Sequence, residues 1–230
     1  MSKLRAFVYL LITSITIAMG SLVSTNLSSA TDVCDTDQSL CGLESMLATP
    51  SVLSAIATPS VSTPEWMKTL TTFTYSVSTR GVITADLDEF KQQAYATLND
   101  SRGWSRLDAQ FKEVENGGDF TLVLAEASQV PNFAPTVCSS LWSCAVGSYV
   151  IINQDRWLGA TTAWNNAGGS LRDYRHMVVN HEVGHWLGHG HQQCGGTGQL
   201  APIMQQQSID LGGCTFNPWP LDSELWSSRL

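Results

Sequence analysis

The chain has 230 residues, 43% of them hydrophobic and only 14% charged, a balance that supports a buried core and excludes a disordered chain. Twelve basic residues against 20 acidic ones leave a formal charge of −8. With no basic run, the sequence offers nothing to a phosphate backbone, and no nucleic-acid partner is expected.

The first segment reads as a targeting signal. Lys3 and Arg5 precede the apolar run 6–18, which is the tripartite pattern of a signal peptide, with cleavage after Gly20 or after Ala30. The uncharged stretch 6–23 also meets the length of an uncleaved membrane anchor, although Thr13, Ser14 and Thr16 dilute it. Residues 1–30 are therefore expected to be a signal peptide or an N-terminal anchor. The protein would then be secreted, or held at the outer face of the cytoplasmic membrane. Residues 31–63, rich in Ser, Thr, Ala and Pro, read as a linker or pro-segment. Residues 64–230 have the size of one folded domain, expected to be monomeric. Six cysteines suit an oxidising compartment, and nearness in sequence pairs them as Cys34–Cys41, Cys138–Cys144 and Cys194–Cys214.

Within the domain, 70–78 alternates and is rich in Thr, Phe, Tyr and Val, which predicts a strand. Residues 86–99 carry Leu87, Phe90, Ala94 and Leu98 at helical spacing, with acidic residues in the first turn. Strands are predicted again at 119–125 and 147–153. A long helix follows: Ser170 and Asp173 form a start like a capping box, Leu171, Tyr174 and Val178 lead along one face, and Gly188 ends it. Strand, helix, strands, helix and an irregular tail describe an α/β (α+β) domain.

All five histidines fall between positions 176 and 191. His181 and His185 are one turn apart on one helix face, so both imidazoles reach a single ion. Glu182, the next residue around the helix, is placed to act as general base on a metal-activated water. A third ligand is needed. Gly188 is the hinge that lets the chain turn sharply, and His191 then supplies the ligand. Three protein ligands with an open fourth position mark a catalytic zinc site.

The pattern His181-Glu182-x-x-His185-x-x-Gly188-x-x-His191 resembles the metzincin clan of zinc endopeptidases, whose signature is followed by a methionine-bearing turn. The run Ala201-Pro202-Ile203-Met204, which ends 13 residues past His191, is similar to that Met-turn, with Met204 the methionine expected beneath the metal. The stretch 181–204 with the following Gln-Gln-Gln-Ser also resembles exported, zincin-like actinobacterial proteins of unassigned function. The resemblance implies a small, twisted, mostly parallel sheet, an active-site helix and an irregular C-terminal subdomain. It also implies a zinc cofactor and a protein or peptide substrate pairing with an edge strand, for which 147–153 is the candidate.

The chain departs from the clan at three points. No tyrosine follows Met204, because the last one is Tyr174. Gln192, after the third ligand, matches no subfamily. His189 is an extra histidine, expected to support the ligands from behind or to face solvent. His176, Asn180 and Trp186 are expected to be structural. The function expected is that of a secreted zinc-dependent endopeptidase. The alternatives are a zinc amide hydrolase acting on cell-wall peptides and a non-catalytic zinc-containing binding protein on the same fold; the presence of Glu182 speaks against the last.

Overall fold

Alternation of apolar and polar residues builds the sheet from one edge inward. The computed structural model describes residues 70–230, so the expected targeting segment, the linker and the Cys34–Cys41 pair lie outside the described residues. The strands are β1 (Thr71–Arg80), β2 (Ala109–Glu113), β3 (Phe120–Ala125), β4 (Cys144–Val146) and β5 (Tyr149–Asn153). The helices are α1 (Leu87–Leu98), α2 (Gln154–Gly159), α3 (Thr162–Asn166) and α4 (Leu171–Leu187). The strands form one sheet in the order β2-β1-β3-β5-β4. Every pairing is parallel except that of β4 with β5. This is the mixed α/β architecture that the chain order predicts, with the mostly parallel sheet that the resemblance implies.

The centre of the sheet is buried on both faces, as parallel strands usually are. Leu122, Leu124, Val150 and Ile152 join Phe73, Tyr75, Phe111 and Phe120 in the main core, together with residues of α1 and α4. The intervening Val123, Ala125 and Ile151 turn to the opposite face and pack with Val130 and the Cys138–Cys144 disulfide. Period-two alternation thus explains why β3 reads as an almost continuous apolar run.

Helix α1 starts where an N-cap is available: the Asp86 carboxylate accepts from the backbone N–H groups of Asp88 and Glu89, which fills two donors left open at a helix start. Helix α4 packs against α1, β5 and β4 and is buried on nearly every side. Its Arg175 is held inward by Glu89 at 2.7 Å, by the Trp157 carbonyl and by the Trp157 ring face, so a buried cation is fully paired. His176 is structural, as expected. Its Nδ1 lies 2.8 Å from Thr97 Oγ1, and its ring packs on Trp219.

One sequence expectation is corrected. Residues 147–153 are the expected edge strand, but β5 is paired on both sides, by β3 and by β4. The edge is β4, whose three residues carry too little alternation to be read from sequence. Strand β2 was missed for a related reason: Ala109 and Phe111 alternate with Gln110 and Lys112 at the opposite edge, and five residues hold only two apolar positions.

Candidate metal centre

Helix α4 carries the site, and its ends are fixed by the expected residues. The Ser170 hydroxyl accepts from Asp173 N–H at the N-cap. Gly188 at the C-cap has φ 110° and ψ 6°, a left-handed conformation that glycine adopts without strain. A Cβ there would also strike Ser228 Oγ at 2.3 Å. The chain turns at Gly188 and brings His191 back over the helix. The candidate ligand atoms of His181, His185 and His191 all lie within 4.8 Å of one another. His185 Nε2 and His191 Nε2 are 3.1 Å apart, near the ~3.3 Å that two nitrogens of a tetrahedral zinc at ~2.0–2.1 Å would subtend. These three histidines can hold a metal ion.

Backbone carbonyls orient two of the rings. His181 Nδ1 donates to Ile203 O at 2.8 Å, and His185 Nδ1 donates to His189 O at 2.9 Å. Each bond commits the Nδ1 proton and leaves Nε2 as a bare lone pair for a metal, the usual outer arrangement of a ligating histidine. The support expected of His189 is therefore supplied by its carbonyl. Its ring is buried between Trp104 and Trp226, with Nε2 donating to Trp226 O.

Beneath the helix lies Met204, fully buried. A Cβ on Gly184 would come within 2.3 Å of its Sδ and 3.0 Å of Trp104. Gly184 is thus required so that the thioether can press against the helix between Glu182 and His185. The same contact explains a helix-interior glycine, which alone costs about 1 kcal/mol. Gln192 also gains a role, because its N–H donates to Met204 O at 3.0 Å and ties the third histidine to the Met204 turn. The Cys194–Cys214 disulfide closes the loop that contains this turn.

Glu224, which the sequence did not single out, anchors the turn from below. Its fully buried carboxylate accepts from the backbone N–H groups of Ile203, Met204 and Leu221 at 2.9, 2.9 and 2.8 Å. The same Ile203 residue presents its carbonyl to His181. The polar thread therefore runs from Glu224 through one peptide segment to the first ligand.

A cleft of about 470 Å³ opens over the histidines. Cys144 and Ala145 of the edge strand, Met177 and Val178 of α4, and Gln206 and Ser208 line it. Glu182 lines it too, and no hydrogen bond from any described residue reaches its carboxylate. Burial alone raises its pKa from 4.5 to about 8. Burial, with the neighbouring histidines, lowers that of His181 to about 3, and burial lowers those of His185 and His191.

These opposite shifts predict the pH dependence of the metal-free protein. A histidine whose folded pKa is depressed leaves the unfolded chain binding more protons, so stability falls as pH drops from 6.5 toward 3. Glu182, raised, does the reverse: its contribution is present below pH 4.5 and is lost as pH climbs to about 8. With a chelator present, thermal melting is expected to peak at about pH 6 and to fall toward both pH 4 and pH 8. Excess metal should remove the alkaline decline, because a cation beside the carboxylate stabilises its charged form.

The family model described as a protein of unknown function, DUF3152, matches residues 54–222, well over half of the chain. The chain belongs to the DUF3152 family. The match spans all three histidines, Glu182 and Met204 of this DUF3152 protein, and stops two residues short of Glu224. Comparison with curated proteins gives no match.

Proposed function

We propose that this DUF3152 protein is a secreted zinc-dependent endopeptidase. The observation that carries the reading is Glu182: a buried carboxylate without a hydrogen-bond partner among the described residues, next to three converging imidazoles and open to a cleft. A site that only stores a metal has no use for it, whereas a general base must stand within reach of a metal-bound water. The donor set fits zinc, which takes neutral imidazole nitrogens in tetrahedral array and leaves a fourth position open when three are supplied. Bound there, zinc supplies Lewis acidity and a more acidic water.

The chain's own residues do the rest. His181, His185 and His191 would hold the ion, with Ile203 O and His189 O fixing the ring orientations of His181 and His185. Glu182 accepts the proton of the attacking water and returns it to the leaving amine. Met177 and Val178 give the cleft an apolar lining that excludes water, and β4, the edge strand among the described residues, offers its outer edge to an extended peptide. Secretion is supported by two disulfides, since such bonds persist in oxidising compartments. No helix among the described residues is long and apolar enough to cross a membrane.

Metal analysis combined with a casein assay tests the reading. Purified full-length protein is expected to carry one zinc per chain and to cleave casein. A chelator should abolish cleavage, and added zinc should restore it. A zinc-loaded protein that cleaves neither casein nor a diverse peptide library would overturn the endopeptidase reading.

A further inference from the structure

We propose that Ser208, positioned by Tyr174, selects the substrate by hydrogen-bonding an extended peptide bound in the cleft. The inference rests on the endopeptidase reading and adds the chemical class of substrate. Apart from the three histidines and Glu182, the cleft is lined by no ionisable side chain. A charged substrate residue therefore finds no counter-charge in it, and selection falls to shape and to neutral hydrogen bonds.

Tyr174, Val178, His181 and His185 follow one another at spacings of four, three and four, one face of α4. Tyr174 is seven residues before His181, about 10 Å along the helix. Its phenol is fully buried, with Trp164 packed edge-on at 5.5 Å, and its hydroxyl lies 2.9 Å from Ser208 Oγ. A phenol is the stronger donor of the two, so Tyr174 donates and Ser208 accepts. With that polarity, the Ser208 O–H and one lone pair have no other partner among the described residues, on a half-buried residue that lines the cleft.

The backbone carrying Ser208 is held as firmly as its hydroxyl. The neighbouring Gln207 side chain is fully buried, donates to Pro202 O and Asn217 O, and accepts from Asn217 N–H. Gln205 Nε2 donates to Asp210 O across the same turn. A hydroxyl fixed from two sides at the rim of a cleft is pre-organised for a ligand, because its ordering cost is met before binding. The substrate class is thus an extended peptide that presents an apolar side chain to Met177 and Val178 and an uncharged hydrogen-bonding group to Ser208, all of which line the cleft.

The experiment compares zinc-loaded wild type with Ser208→Ala, Ser208→Thr and Tyr174→Phe. It reads peptide-library cleavage profiles, KM and kcat, melting temperature, and calorimetric affinity for an uncleavable phosphinic peptide. Ser208→Ala is expected to raise KM and weaken the phosphinic peptide roughly tenfold, the loss of one hydrogen bond. Its kcat, zinc content and melting temperature should stay near wild type, and the profile should relax at a single substrate position. Ser208→Thr should retain the preference, and Tyr174→Phe should lose part of it. Wild-type KM and profile in Ser208→Ala, or a loss confined to melting temperature, would overturn the inference while leaving proteolysis intact. A wild-type protein that neither cleaves peptides nor binds the phosphinic peptide would overturn the endopeptidase reading and this inference with it.

Discussion

Replacing Glu182 with glutamine is expected to lower kcat on the order of 10²–10⁴-fold, the usual contribution of a general base, without loss of bound zinc. Glutamine keeps the size of the side chain and its place in the cleft, but it cannot accept a proton. The three candidate ligands are histidines whose orientation depends on Ile203 O and His189 O, so metal content should be unaffected. Folding should not suffer either, since no described residue hydrogen-bonds to the Glu182 carboxylate. A second measurement separates this from a general disturbance of the site. The metal-free wild type is expected to lose stability between about pH 6 and pH 8 as Glu182 ionises in a buried position, because the unfolded chain gives up that proton more readily. The glutamine variant has nothing to ionise there and should melt at a constant temperature across that range. A zinc-loaded variant that hydrolyses casein at the wild-type rate would remove Glu182 from the mechanism.

Much of this site is legible in the sequence because helical geometry is local. Two histidines four residues apart and a glycine three residues later define a helix face, its end and a return of the chain without reference to any other element. Ser170 and Asp86 are equally local, since an N-cap needs only its own next turn. What the sequence withholds depends on closure in three dimensions. The sheet edge beside the cleft is β4, three residues that acquire strand character only by pairing with β5, so the sequence points to 147–153 as the edge instead. Gly184 resembles a weak point in a helix until Met204 is seen against it. Gln192 fits no side-chain pattern because its contribution is a backbone N–H. Ser208 is an unremarkable loop serine until Tyr174, 34 residues earlier, is placed beside it.

Glu224 is the plainest case of a distant contribution, and its removal is expected to have the second large effect. Glu224→Ala should weaken zinc binding about 10–100-fold, the range found when an outer partner of a metal ligand is lost, and should destabilise the fold by about 3 kcal/mol or more. The second figure follows from three backbone N–H groups losing one shared acceptor, at about 1–3 kcal/mol for each left without a partner. Two of those groups belong to Ile203 and Met204. Once they are released, the peptide whose carbonyl holds His181 Nδ1 can move, and the ligand's orientation moves with it. Glu224→Gln should recover only part of the loss, because one carboxylate oxygen becomes an amide N–H facing a backbone N–H. Glu126→Ala supplies the control. That residue also accepts a backbone N–H, from Val82, but has no connection to the histidines, so it should cost some stability and leave zinc affinity unchanged. Measuring zinc affinity by competition with a chromophoric chelator, beside denaturant melts, separates the two effects. If Glu224→Ala is destabilised but binds zinc like the wild type, the buried carboxylate supports the tail alone and not the metal ligand above it.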